Sequence, residues 1–512
     1  MTPRSDTNPG RTGSAAWAGI FIAAVILISL LAITSRSFWI DETYSARLAQ
    51  QPTPLAGWQL LRAVGGSDPQ MPLYLVWLWT CEKLVGSSEL ALRAVNLLWF
   101  IPALLVLMRA AAGNRPLQLA LLVAAGLNPF AWYYLNEARA YTMQFSTSLI
   151  LYAALGHWCR NNRAPAAAER NWIFGFALAL VLLCGSSILS MLLGVTPLVM
   201  TLVLLPRKKL LELGRKFRVL GAGTLLVLLL LGLYYLWTLH SGNRATDIAT
   251  TSWQNLGFIG YELLGFAGLG PGRLEIRTGG LAVFKPYAAV LLAYAGVVAV
   301  LLGAAVLDLR RRFGPKKLFA LLLAAVVPAG LILVAGAALH FRVLGRHLAA
   351  LLPGAILLFS LGGLVLWRRG TWGKALVMVF LILYGTSALS LRFAARHEKD
   401  DYRDAAAVAR TALAAGKTVW WNADANAAVY YQLPIARTGG AENGKALWLV
   451  HPPRAAIAVL TPPEVLIASR PDVYDEGGTV AAFLAAQHYQ LASNLPAFGI
   501  WTRPVTSPAG SH

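Results

Sequence analysis

Eleven stretches of this chain are apolar over about the length needed to cross a bilayer, and no other feature restricts its fold as strongly. They cover residues 16–35, 89–109, 116–135, 141–158, 172–187, 188–205, 218–238, 284–306, 318–339, 347–366 and 374–391. A hydrocarbon core about 30 Å thick takes about 20 helical residues. Backbone amides inside it must bond within their own helix or a closed barrel, so the pattern predicts a polytopic α-helical membrane protein. Composition agrees, since only 13% of the 512 residues are charged, against about 25% in a soluble domain. The 172–205 stretch is barely long enough for two passes, which leaves the count between ten and twelve. A further apolar segment, 72–80, is too short to cross and reads as a helix lying in the interface.

A formal net charge of +21 would suggest a nucleic-acid partner in a soluble chain. Here most of the charge falls in short loops between apolar runs, which argues for membrane lipids and against nucleic acid. The clusters also test topology. With a cytoplasmic tail at 1–15 (Arg4, Arg11), one side receives Arg109 and Arg115; Arg160, Arg163 and Arg170; and Arg207, Lys208, Lys209, Arg215, Lys216 and Arg218. The same side receives Arg310, Arg311, Arg312, Lys316 and Lys317, then Arg368, Arg369 and Lys374. The opposite, periplasmic side of a bacterial inner membrane then holds 36–88, 240–283, 392–512 and the turns near 136–140 and 340–346. The first apolar run has no small-residue cleavage site, so it reads as a retained span. Three cysteines (Cys81, Cys159, Cys184) give no disulfide framework, and no Cys or His spacing suits a structural metal.

The chain changes character at Arg392. Residues 405–415 have helical composition; 418–422, 446–450 and 465–469 read as strands; 479–487 reads as a helix; and 489–495 with 498–503 reads as a hairpin. This predicts a small α/β domain over 392–512 following a membrane domain at 16–391. It has no glycine-rich nucleotide motif, and its plainest role is accessory or acceptor-handling.

The outer-side segments carry the chemistry. Asp41 and Glu42 follow an aromatic anchor, Phe38-Trp39, at the end of the first run. Carboxylates cost about 2.5–3.5 kcal/mol at bilayer depth on insertion scales. An interfacial pair avoids that cost and suits a base acting on a lipid-linked substrate, though it suits helix capping equally. Asp68, in the turn Gly65-Gly66-Ser67-Asp68-Pro69-Gln70-Met71-Pro72, is either a helix cap or a site residue. Glu137 and Arg139, with Asn136 and Tyr141, form either a neutralising pair or a substrate contact. Arg342, Arg346 and His347 precede an apolar run, where two arginines at a helix start suit a phosphate. Snorkelling is the alternative, but it runs against the charge bias.

In this order the motifs resemble the GT-C membrane glycosyltransferases, in the bacterial branch similar to protein O-mannosyltransferases and the aminoarabinose transferase of lipid A. The residues carrying the resemblance are Trp39-Ile40-Asp41-Glu42-Thr43-Tyr44, Asp68-Pro69-Gln70-Met71-Pro72-Leu73-Tyr74 and Gly86-Ser87-Ser88-Glu89-Leu90-Ala91-Leu92-Arg93. Asn136-Glu137-Ala138-Arg139-Ala140-Tyr141 and Gly345-Arg346-His347-Leu348 with Pro353 complete the set. It spans residues 15–391. Two motifs depart: Gln70-Met71 stands where the family often has His-Pro, and His347 stands where it has tyrosine.

The resemblance implies a fold of about eleven transmembrane helices and transfer of a sugar from a polyprenyl-phosphate donor to a lipid, glycan or protein acceptor on the periplasmic face. Asp41, with Glu42, would be catalytic. Asp68, Glu137, Arg139, Tyr141, Arg346 and His347 would bind substrate. Carboxylates at Asp41, Asp68 and Glu137 suit a shared Mg²⁺ or Ca²⁺, although no ligand spacing requires one; no other cofactor is implied. Two other classes stay open. A surface-glycan polymerase or ligase would use arginines of one long loop, such as Arg244, Arg273 and Arg277. A lipid or sugar transporter would show internal repeats and midplane charges.

Overall fold

The computed structural model describes residues 10–64, 68–160, 166–241, 250–436 and 444–503. Arg4, Arg163, Arg244 and the Gly65-Gly66-Ser67 part of the turn lie outside them. The chain forms two compact units: Met1–Thr34, Pro52–Gly86 and Ala91–His397 make the first; Ser35–Gln51, Ser87–Leu90 and Glu398–His512 make the second.

The first unit is helical. All eleven apolar runs fall on helical segments, and the short run near 72 is the helix Pro72–Val85, opened by a proline at its start. Six helices among the described residues are long and apolar enough to cross a membrane: Glu89–Ala110, Glu169–Ser186, Arg218–His240, Arg273–Ala338, Gly345–Trp367 and Thr371–Phe393. The longest is broken at Gly314, whose φ of 78° leaves the helical region just before Pro315. That break lies in the basic segment between the runs at 284–306 and 318–339. Arg218–His240 buries only Tyr235 and Thr238, while Val219, Leu225 and Leu236 are at least 65% exposed. An all-round apolar surface of this kind is a lipid-facing one.

The helix Tyr141–Arg160 is the opposite case. It buries Thr142, Gln144, Ser146, Thr147 and Ser148 together with its apolar residues, and packs against Leu97–Ala110 and Ala166–Ser186. Between membrane helices lipid is as apolar as leucine, so close packing and interhelical hydrogen bonds hold the bundle. Ser148 donates to the Ala350 carbonyl at 2.6 Å and Thr196 to that of Ala324 at 2.8 Å. Asn128 donates to the Tyr384 hydroxyl at 2.6 Å, which donates to the Ala124 carbonyl at 2.9 Å. Such bonds contribute about 0.6 kcal/mol each. The larger share therefore rests on the packed aromatic core of Phe100, Phe130, Phe145, Tyr294, Phe359, Phe380 and Tyr384.

The second unit is α/β. Its strands are β1 (Val419–Asn422), β2 (Ile435–Ala436), β3 (Ala446–Trp448), β4 (Val465–Ser469), β5 (Gln490–Leu495) and β6 (Phe498–Thr502), in the order β2-β3-β1-β4-β6-β5. The first four run parallel, and β6 pairs antiparallel with both β4 and β5. β1 is buried along its whole length, as a central parallel strand covered on both faces requires. Trp420, Leu447, Leu466, Val480 and Leu484 form its core. The strands, two helices and hairpin expected at 405–503 are all present. The short helices Ala425–Tyr430, Arg454–Ala458 and Pro471–Tyr474 were not expected. The first-loop helix Ile40–Ala49 groups with this unit because it packs on Ala425–Tyr430.

Candidate active site

In the first unit the site is built on the turn between the helices Pro129–Leu135 and Tyr141–Arg160. Buried Asn96 donates its amide to the carbonyls of Leu135 (3.1 Å) and Glu137 (2.7 Å). Asn136 donates to those of Ala32 (2.6 Å) and Trp132 (3.0 Å), and Thr142 to that of Tyr134 (3.0 Å). The turn is thereby fixed on three sides, which sets the directions of Glu137 and Arg139.

Arg139 Nη1 donates to Asp68 Oδ1 at 2.5 Å, and both side chains are buried. Asp68 opens the 3-10 turn Asp68–Gln70, whose Pro69 carbonyl accepts from the Tyr234 hydroxyl at 2.8 Å. The following helix has Met71, not Asp68, at its cap. Asp68 therefore does not cap that helix, and its carboxylate pairs with Arg139 instead. Glu137 is fully buried.

Arg346 lies in the 3-10 segment Gly345–Leu351 that leads into the helix Leu352–Trp367, with its guanidinium 5.7 Å from the Tyr141 ring centre. The Leu344 N–H donates to His347 Nδ1 at 3.0 Å, so that nitrogen carries a lone pair and the imidazole closes the turn. Arg346 and Arg139 both lie near enough for their charges to act on His347, and Glu137 and Arg346 likewise on Tyr134. Asp68 and the stretches 137–141 and 346–347 are thus brought together, Asp68 through Arg139 and Arg346 through Tyr141.

Glu262 and Tyr134 were not singled out from the sequence, and Arg273 only as a loop arginine that a ligase would use. Arg273 pairs with buried Glu262, donates to the Tyr134 hydroxyl at 2.6 Å and lies over the Tyr133 ring at 4.1 Å. Glu262 Oε2 accepts from the Gly345 N–H at 3.0 Å, and a Cβ on Gly345 would come within 2.5 Å of that oxygen. Glycine there lets the carboxylate hold the backbone immediately before Arg346. The available signal was a lone glutamate inside the apolar segment 255–266.

Asp41 and Glu42 belong to the second unit. Glu42 is fully buried; it accepts from the Trp39 N–H at 3.4 Å, reaching back over the helix start, and lies 3.7 Å from Lys399 Nζ. Asp41 is half-buried in the first turn, where the helix dipole favours a carboxylate. The two acids therefore stand in different surroundings, Glu42 fully buried and Asp41 half-buried. Beside it, burial raises the Asp424 pKa above the usual carboxylate range and the Asp41 charge adds to this. Backbone N–H groups of Ala427 and Asn426, and Arg47, oppose the shift. Among the described residues no three His, Cys, Asp or Glu side chains are gathered as metal ligands would be.

The chain matches the crystal structure of ArnT, an aminoarabinose transferase, from Cupriavidus metallidurans in the apo state. The match covers 96% of this chain and 98% of that one, with a TM-score of 0.51 at 14% identity. The same protein bound to undecaprenyl phosphate matches over the same spans at 0.48 and 14%. An Archaeoglobus fulgidus oligosaccharyltransferase tethered with an acceptor peptide matches at 0.45 and 13%, over 77% of this chain and 57% of that one. No protein-family profile and no curated protein matches. The apolar helices and the full-length match to apo ArnT establish a multi-pass membrane protein with the GT-C fold.

Proposed function

We propose that the chain is a membrane glycosyltransferase that moves a sugar from a polyprenyl-phosphate donor to a lipid, glycan or protein acceptor on the periplasmic face. The observation that carries this reading is the cluster of Arg346 and Arg139 around His347 and Tyr141 at the start of an apolar helix. A lipid-linked phosphate needs fixed cations where an apolar helix begins, and charge-assisted hydrogen bonds from guanidinium suit it. The same cations would stabilise the negative charge that grows on the phosphate as its bond to the sugar breaks. In this reading Asp41 takes the proton from the acceptor hydroxyl as that oxygen bonds to the sugar carbon. Glu42, tied to Lys399 and to its own helix start, supports the helix. Asp68 orients Arg139, and Glu262 with Arg273 orients the backbone before Arg346. Engagement of Arg273 by Glu262 and Tyr134 favours this reading over a ligase that uses the loop arginines directly.

The test is transfer of a labelled sugar from a polyprenyl-phosphate donor by the purified protein, with Arg346→Ala beside the wild type. Transfer and donor binding that both fall in Arg346→Ala support the reading. Their persistence would assign Arg346 to the membrane interface instead.

A further inference from the structure

We infer that Asn426, in the C-terminal α/β domain, is a positioning residue for Asp41. The inference rests on the proposal that Asp41 is the base.

The helix Ile40–Ala49 buries Glu42, Thr43, Ser45, Ala46, Leu48 and Ala49. Asp41, Tyr44 and Arg47, spaced by three, share one helix face and are half-buried. Asn426 meets that face with both ends of its amide. Its nitrogen donates to the Tyr44 hydroxyl, and its oxygen accepts from Arg47 Nη1. A residue that uses donor and acceptor on two neighbouring turns fixes a helix against rotation and sliding together. Either motion would re-aim Asp41 one turn earlier.

Asn426 is itself firmly held. It lies in the first turn of Ala425–Tyr430, which follows the end of β1 and is capped by Asp424 accepting from the Ala427 N–H at 2.8 Å. The far end of that short helix grips the chain leading into the Asp41 helix. The Tyr431 hydroxyl accepts from the Phe38 N–H at 2.8 Å and donates to Glu89 Oε1 at 3.1 Å. Tyr430 donates to the Ser87 carbonyl at 2.6 Å and packs its ring 5.6 Å from that of Phe38. One element of the domain therefore holds the first loop before the Asp41 helix and along it. Ordinary capping of a loop helix requires neither contact.

The experiment measures single-turnover sugar transfer at saturating polyprenyl-phosphate sugar and acceptor, with thermal stability in detergent read in parallel. Asn426→Ala removes both links and should lower the rate about 10–100-fold, the scale of a small misplacement at a reacting group, while donor affinity stays within about twofold of wild type. Asn426→Asp can accept from both the Tyr44 hydroxyl and Arg47, so it should recover most of that loss. If Asn426→Ala folds poorly, Tyr44→Phe and Arg47→Gln each remove one link and are read in the same way. An unchanged rate per folded molecule in Asn426→Ala overturns the inference, and so does a loss that Asn426→Asp fails to recover. If the wild type itself transfers nothing, the function reading fails first, and amide exchange over 40–49 decides the clamp. Faster exchange in Asn426→Ala supports it, and unchanged exchange overturns it.

Discussion

Glu262→Gln is the substitution that tests how the backbone before Arg346 is held. Glu262 is 3% exposed; one oxygen faces Arg273 and Tyr134 while the other accepts from the Gly345 N–H. Glutamine keeps the shape and one acceptor but removes the charge. Breaking a fully buried pair costs about 3–5 kcal/mol. The Arg273 side chain is 33% exposed, so water and lipid headgroups compensate in part, and roughly 2 kcal/mol is the expected loss. In a chain of this size that lowers the melting temperature by only a few degrees. The more telling readout is donor affinity, because Gly345 precedes Arg346. A loosened Gly345 should weaken binding of a polyprenyl-phosphate sugar about 3–10-fold, on the order of one hydrogen bond of about 1 kcal/mol. Glu262→Asp is one methylene shorter and cannot span both partners, so it should bind donor no better than Glu262→Gln. Unchanged donor affinity in a folded Glu262→Gln protein would refute the link between this carboxylate and Arg346, whatever happens to stability.

Arg346→Ala should weaken donor binding by about 1.5–3 kcal/mol, the range for a charged hydrogen bond; Arg346→Lys should recover only part, because an ammonium lacks the guanidinium fork, and equilibrium binding in detergent checks both. Reporter fusions after Arg218 and Arg312 should read cytoplasmic and those after Gly268 and Asp404 periplasmic; an opposite reading at Arg312 would overturn the orientation. Burial and Asp41 raise the Asp424 pKa, so its carboxyl favours folding most when protonated. That contribution is complete below the unfolded value of about 3.9 and is lost as pH rises through the higher folded value. Asp424→Asn keeps the helix cap, so its melting temperature relative to wild type should rise as pH climbs from about 4 towards neutrality, and a constant difference would contradict this.

The parts of the fold legible in the sequence are those set by local composition. A run of apolar residues must be helical inside lipid, and the basic segment 310–317 separates two such runs where the structure breaks the helix at Gly314. The strands Val419–Asn422 and Val465–Ser469 read as continuous apolar runs because a parallel sheet covers both faces. Long-range pairing was not legible. Asp68 fits a helix cap by position, yet Arg139, 71 residues away, takes its carboxylate. Glu262 and Arg273 sit in the 240–283 segment, whose arginines suggested a ligase, and only the fold shows that Glu262 holds Gly345. The two-residue β2 and the short helix Ala425–Tyr430 carry too little periodicity to stand out, although that helix grips the Asp41 loop. Asp41 and Glu42 are adjacent and chemically alike, so that one is half-buried and the other buried against Lys399 and the Trp39 N–H is visible only in the fold.

The most direct test of the central claim is single-turnover transfer of a labelled sugar from a polyprenyl-phosphate donor by the wild type and by Asp41→Asn, with donor affinity and melting temperature measured on both. Asparagine preserves shape and hydrogen bonding but cannot take a proton from the acceptor hydroxyl. The wild type should transfer the label, and Asp41→Asn should bind donor and melt as the wild type does while losing about 10²–10⁴ in rate. Near wild-type transfer by Asp41→Asn would contradict the assignment of the base, and no transfer by the wild type from any polyprenyl-phosphate sugar would contradict the function.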